Sequence, residues 1–124
     1  MDEKKRPVWE WLVFVAVIVF AAGMMGSTYN YQQKTAKQHA LHYQLQVLRT
    51  AELLYVSVNK KLPETLEQLT QEQFSLPGET LTRRFIEHPP MLVDGKLMDP
   101  FNNPYSYDPK TGWIKSTTPG YDYW

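Results

Sequence analysis

The sequence predicts an α+β fold: one long N-terminal helix, transmembrane over its first half, packed on a small antiparallel sheet. Three observations predict it. Val8 to Met25 is an apolar run whose only charge is Glu10, and Ser27 to Asn59 contains neither proline nor glycine. The tail alternates aromatic and polar residues on either side of Asp108-Pro109-Lys110-Thr111-Gly112, which is turn chemistry. Of nine prolines all but Pro7 lie beyond residue 62, so a helical front gives way to a loop-rich back.

The apolar run is about 27 Å long as a helix, enough with its flanks to cross a hydrocarbon core roughly 30 Å thick. Lys4, Lys5 and Arg6 precede it, so the positive-inside rule makes residues 1–7 a cytoplasmic leader and 8–26 the transmembrane helix. Everything after Gly26 is then outside the cytoplasm. Trp9 and Trp11 suit the aromatic belt at the membrane interface. Glu10 breaks the pattern, since a carboxylate inside a span costs several kcal/mol unless it is paired or close to the interface. That makes it a functional candidate, and Arg6, four residues earlier on the same helix face, is its local partner in the simpler account. A cleaved signal peptide is the competing reading of the segment, with small residues at Ala21, Ala22, Gly23 and Gly26. Against it, the run is long for a signal core and no A-x-A tripeptide ends it.

Residues 27–59 continue the helix outside the membrane. Leu41, Leu45, Leu48, Ala51, Tyr55 and Val58 recur at spacings of three and four, with Val47 and Leu54 widening the stripe. Gln38, Gln44, Gln46, Arg49 and Glu52 are assigned mostly to the other faces. Lys60 and Lys61 suit the negative end of the helix dipole, and Pro63 forbids continuation. Leu62 to Leu69 predicts a short second helix with Pro63 in its first turn and Leu62, Leu66 and Leu69 on one side. Leu81, Phe85 and Ile86 predict one more helical turn before His88-Pro89-Pro90 stops it. Tyr105-Ser106-Tyr107 and Trp113-Ile114-Lys115 then form a hairpin, and two strands alone are marginal, so it must pack on the helix. Residues 60–124 thus make a small α+β head.

Composition narrows the function. Thirteen basic residues balance thirteen acidic ones, so no net field points toward nucleic acid, and the absence of cysteine removes thiol catalysis, CxxC metal sites and disulfides. No nucleophile with a base, phosphate loop or paired-carboxylate cleft is apparent, so neither an enzyme nor a small-molecule substrate is expected. His39 and His42 share a helix face without a carboxylate near them in sequence and read as exposed histidines. Tyr105, Tyr107, Trp113, Tyr121, Tyr123 and Trp124 read first as sheet core and second as a partner surface, with Tyr123 and Trp124 the most exposed.

The order of these elements resembles the type IV pilin superfamily, especially the major pseudopilin of type II secretion. Pro7-Val8-Trp9-Glu10-Trp11-Leu12-Val13 is similar to the family's threonine-leucine-isoleucine-glutamate-leucine-leucine-valine stretch, with Glu10 on its glutamate. Leu62-Pro63-Glu64-Thr65-Leu66-Glu67-Gln68-Leu69 resembles the proline-threonine-x-leucine-x-x-leucine segment that follows the long helix. Asp99-Pro100-Phe101-Asn102-Asn103-Pro104-Tyr105 resembles the aspartate-proline-tryptophan-glycine-asparagine-proline-tyrosine signature, whose role is structural. The chain departs from the family at the processing point, where a small residue is replaced by Lys5 and Arg6. It is therefore expected to resist the prepilin peptidase and keep its leader.

The resemblance implies a pilin-like fold and a structural role, as a pseudopilin-like subunit or accessory component of a type II secretion or type IV pilus machine. Its partners would be the membrane, other pilin-like subunits and membrane proteins of the assembly platform. It would sit in a bacterial inner membrane as a single-pass protein with its head periplasmic or extracellular. A membrane-anchored extracytoplasmic binding domain that never enters a filament is the alternative. Glu10 would pair with the free amino terminus of a neighbour, which an uncleaved leader displaces. Calcium is the one cofactor implied, with Asp108, Ser116 and Asp122 as oxygen ligands, but turn residues in a polar loop are the favoured account, since Asp108-Pro109 and Gly120 already have turn roles.

Overall fold

The computed structural model describes residues 8–124. Helix α1 (Val8–Asn59) is followed by a single helical turn, α2 (Gln68–Gln71), and six short strands. These are β1 (Gln73–Ser75), β2 (Thr82–Arg84), β3 (Leu92–Val93), β4 (Lys96–Leu97), β5 (Tyr105–Asp108) and β6 (Trp113–Ser116). The class is α+β. The chain divides into two compact units, Met1–Ala36 and Lys37–Trp124.

In the first unit the described residues are one helical stretch whose large apolar side chains, from Val8 to Met25, stand exposed. By length and composition α1 includes a segment able to cross a membrane. A surface of that kind is stable only when lipid or other helices cover it.

The second unit is built on residues 37–59 of α1. Leu41, Leu45, Leu48, Ala51 and Tyr55 are buried and meet Leu66, Leu69, Phe85, Ile86, Leu97 and Ile114 in one core. Each such side chain contributes roughly 1.5–3 kcal/mol of burial, so the helical stripe is the principal organiser of the head. The stripe ends before Val58, which is 39% exposed. Glu52 departs from its expected place on a polar face: it is only 7% exposed. The helix stops in a left-handed residue, Lys60 (φ 57°), whose N–H still bonds the Val56 carbonyl at 2.8 Å.

The helix expected over Leu62 to Leu69 is a loop that tightens into helix only at Gln68. The Tyr107 hydroxyl donates to the Pro63 carbonyl at 2.7 Å, occupying an acceptor that the first turn of such a helix would use. The Glu64 N–H is met instead by the Gln68 side chain at 2.8 Å. Pro63, Leu66 and Leu69 are nevertheless buried, so the apolar spacing served packing rather than helix.

A second correction concerns Leu81, Phe85 and Ile86. Their segment is not helical but holds strand β2, paired antiparallel with β1 with Phe74 opposite Arg83. Leu76-Pro77-Gly78-Glu79 folds the chain back, with the Glu79 N–H on the Leu76 carbonyl at 3.0 Å and Gly78 at φ 88°. The chain then delivers Phe85 into the core between Tyr55 and Phe74, at ring separations of 5.1 and 4.7 Å.

Strands β3 and β4 form a hairpin absent from the sequence reading. Asp94 (φ 50°) and Gly95 (φ 76°) supply the two positive angles of a type I′ turn, whose twist matches the strands it joins. The hairpin that the tail predicted is present: β5 and β6 pair with Tyr105 opposite Ser116 and Asp108 opposite Trp113. The three ribbons share no strand, and each is two-stranded.

Candidate functional site

Three places merit a chemical reading: the start of α1, the Asp99 corner, and a cleft in the second unit.

Glu10 lies in the first turn of α1 between the exposed indoles of Trp9 and Trp11. A carboxylate there is favoured by the positive end of the helix dipole. Arg6, its expected local partner, and Lys5, at the expected processing point, lie outside the described residues, as does the leader.

The Asp99 corner joins the β3–β4 ribbon to the β5–β6 ribbon. Asp99 is 3% exposed. Its Oδ1 accepts the N–H groups of Phe101 and Asn103, each at 2.9 Å, while Ser116 Oγ donates to Oδ2 at 3.2 Å and Thr118 Oγ1 donates to the same oxygen. Pro100 presets the first turn position, and Asn102 takes the left-handed angle (φ 62°) that asparagine tolerates. The Asn102 N–H closes on the Asp99 carbonyl at 3.0 Å, and the Asp99 N–H on the Asn103 carbonyl at 2.8 Å. Pro104 accepts from Thr117 Oγ1 at 2.6 Å, and Tyr105 donates to Gln44 Oε1 at 2.7 Å, which fixes the start of β5 on α1. Every donor is internal to the chain, so the corner is a joint.

The three residues offered for calcium do not meet. Ser116 is buried against Asp99, at the opposite end of the hairpin from Asp108. Asp108 is exposed and closes its own turn, accepting the Lys110 N–H and the Thr111 hydroxyl, each at 2.9 Å. The Lys110 bond first, and the Thr111 hydroxyl second, hold its carboxyl below the usual range. Asp122 is exposed in the C-terminal turn. Among the described residues no three of His, Asp or Glu gather into a metal-binding group.

The cleft was not foreseen. It has a volume of about 980 Å³ and lies between one side of α1 and the strand β6 with the C-terminal turn. Three contacts fix its two walls. The rings of His42 and Trp124 meet edge to face at 5.6 Å, Arg49 Nη2 donates to the Ile114 carbonyl at 2.9 Å, and Gly112 lies against the Glu52 carboxylate. A Cβ on Gly112 would sit 2.5 Å from Glu52 Oε1, and its φ of 76° also requires glycine. His39, Leu53, Trp113 and Tyr123 are among the other lining residues.

Glu52 is the unusual member. Among the described residues no hydrogen bond or ion pair reaches its carboxylate, and Arg49, one turn earlier, is engaged with Ile114. Burial alone raises its pKa above the ordinary 4.5. Its charge is one of the causes that push the half-buried Tyr107 hydroxyl up to about 12, after desolvation. The signal was present in the sequence. Residues 41, 45, 48, 52 and 55 follow a strict alternation of four and three, which places Glu52 on the seam where a leucine belongs.

The aromatic tail is divided between core and surface. Tyr121 stacks on Phe101 at 5.4 Å and bonds Gln38, and Trp124 is half-buried against His42 and Tyr121. Trp113 is 64% exposed where Trp124 was expected to be, because strand alternation turns Ile114, not Trp113, into the core. His39 and His42 are both exposed, as expected, and both border the cleft.

Neither a family model, nor a curated protein, nor a solved structure matches this chain.

Proposed function

We propose that this chain is a structural, pilin-like subunit or accessory component of a type II secretion or type IV pilus assembly. The first half of α1 holds it in a bacterial inner membrane with the N-terminus cytoplasmic, and the head stands in the periplasm or outside the cell. It works by packing its apolar helix against the helices of pilin-like subunits or assembly-platform proteins, and it carries out no reaction of its own.

One observation carries this reading: an exposed apolar helical stretch with a carboxylate in its first turn belongs to the same helix that supplies the core stripe of a small ribbon-built head. An apolar surface on that scale needs helical or lipid partners, and a membrane carboxylate needs a cation. The Asp99 corner adds the motif by which the tail resembles pilins. A membrane-anchored binding domain that never enters a filament is the second reading, and the Glu52 cleft is the observation that favours it.

The test is co-purification from native membranes. Glu10→Ala should abolish recovery of pilin-type partners while the head retains its melting temperature. Unchanged recovery would overturn the assembly role of Glu10 and leave the anchored-domain reading.

A further inference from the structure

Two pairs of aromatic side chains bracket the apolar part of α1, Trp9 with Trp11 and Tyr29 with Tyr31, and all four are exposed. No charged residue lies between Glu10 and Lys34. From Glu10, between the indoles, to Asn30, between the phenols, the helix advances about 30 Å at 1.5 Å per residue, which is the thickness of a hydrocarbon core. Within each pair the spacing is two, and at 3.6 residues per turn that sends the rings to nearly opposite sides of the helix. A neighbouring helix touches one side only and asks for spacings of three and four. A layer of lipid headgroups surrounds the helix, and indole and phenol rings, apolar in the body and polar at the tip, suit that layer on every side.

Glu10 fixes the depth. A core of about 30 Å takes roughly 20 helical residues. If that core ended at Gly26, Glu10 would lie about 6 Å inside hydrocarbon; if it ends between Tyr29 and Tyr31, Glu10 stands at the inner edge, level with the indoles. The second placement brings Ser27 and Thr28 into the core instead. That exchange is favourable, because the Thr28 hydroxyl already donates to the Met24 carbonyl at 2.9 Å, whereas a carboxylate is among the most costly groups to place in hydrocarbon. The Tyr29 hydroxyl accepts from Gln33 Nε2, one turn further from the apolar run, and Lys34 follows.

Building on the membrane reading above, we propose that α1 spans the bilayer from the Trp9–Trp11 pair to the Tyr29–Tyr31 pair, past Gly26, and that Tyr29 and Tyr31 are seated among phospholipid headgroups on the outer side.

The chain has no cysteine, so single cysteines placed in it report separately. The full chain carrying Val17→Cys, Ser27→Cys or Lys34→Cys, in phospholipid vesicles, is treated with N-ethylmaleimide, which crosses bilayers but reacts only with thiolate, the form that water supports. Labelling is then independent of the direction of insertion. The expected result is rapid labelling of Lys34→Cys, and labelling at least about tenfold slower for both Val17→Cys and Ser27→Cys, since each unit added to a thiol pKa removes about nine-tenths of the thiolate. Adding Tyr29→Ala and Tyr31→Ala together should raise the Ser27→Cys rate toward that of Lys34→Cys while Val17→Cys stays protected. Ser27→Cys reacting as fast as Lys34→Cys, with Val17→Cys protected, would end the span near Gly26 and overturn the proposal. Lys34→Cys as slow as Val17→Cys would carry the span past the tyrosines and overturn it as well. A Ser27→Cys rate unmoved by the two alanines would overturn the headgroup seat. Val17→Cys as fast as Lys34→Cys would overturn the membrane reading itself, an outcome distinct from the other three.

Discussion

Asp99 offers a sharp test of how the head is held together. Its carboxylate serves two backbone N–H groups on one oxygen and two hydroxyls on the other, and it is almost wholly buried. In Asp99→Ala the Phe101 and Asn103 N–H groups lose their acceptor in a place water does not reach. Each buried donor left unpaired costs about 1–3 kcal/mol, so a loss of about 4 kcal/mol is expected. Stability of about 0.05–0.15 kcal/mol per residue gives a head of this size roughly 4–13 kcal/mol, so the alanine variant keeps no more than roughly 9 kcal/mol and should melt well below the parent. Asp99→Asn is milder. The amide oxygen keeps both N–H bonds, and its NH₂ meets Ser116 and Thr118, which already accept from the Thr118 N–H and from Asn103 Nδ2 and retain a further lone pair. The charge assistance is lost and the Ser116 and Thr118 hydroxyl protons give up their acceptor, about 2 kcal/mol in all, or a fall of roughly 8–16 °C in melting temperature for a domain of this size. Near-UV circular dichroism of the full chain in micelles reads both melts. Equal melting of the Asn variant and the parent, or an alanine variant no worse than asparagine, would refute the corner as a buried, charge-assisted joint.

Two further outcomes follow from the Glu52 seam. A carboxyl whose pKa is raised by folding binds its proton more tightly in the folded state. The head is therefore most stable below the unfolded value near 4.5 and loses stability as pH rises through the folded value. Each unit of elevation costs about 1.4 kcal/mol at neutral pH, and Glu52→Gln should remove that cost, unfolding at higher urea than the parent at pH 7 and at the same urea at pH 4. An identical difference at both pH values would show that the carboxylate is not desolvated. Gly112→Ala should lower the urea midpoint by the equivalent of about 2 kcal/mol or more, from a disfavoured left-handed residue and a methyl driven against Glu52 and Leu62; a shift under about 0.5 kcal/mol would mean that the two walls separate freely.

How much of this was legible depended on whether the determining contacts were local. The leucine stripe of α1, the β5–β6 hairpin and the turn character of residues 99–104 depend on spacing and on proline and asparagine chemistry, which a sequence displays directly. The Asp94-Gly95 hairpin was equally local, and its two-residue turn between Val93 and Lys96 was a readable signal that went unread. The segment from Leu62 to Leu69 misled because its spacing fits a helix, while a hydroxyl 44 residues away takes the carbonyl that a helix would need. Leu81, Phe85 and Ile86 misled in the same way: Pro77-Gly78 reverses the chain, and β1 supplies the pairing. The cleft joins residues 38–53 to residues 111–124 and depends on how β6 lies along α1, so only the misplaced glutamate on the seam announced it.

The three ribbons of the head share no strand, and among the described residues a single bridge, Met98 opposite Pro104 beside the Asp99 corner, ties the second to the third. In a continuous sheet an inserted residue in one strand would shift the alternation of its neighbours on both sides. Here an insertion at Gly78 or at Asp94-Gly95 stays within its own hairpin, provided that Phe85 and Leu97 still reach the helix. The head is thus organised like a mast with separate pennants. Its turns are places where length and surface can diverge between relatives, or be grafted by design, while the helix and the Asp99 joint keep the same spacing.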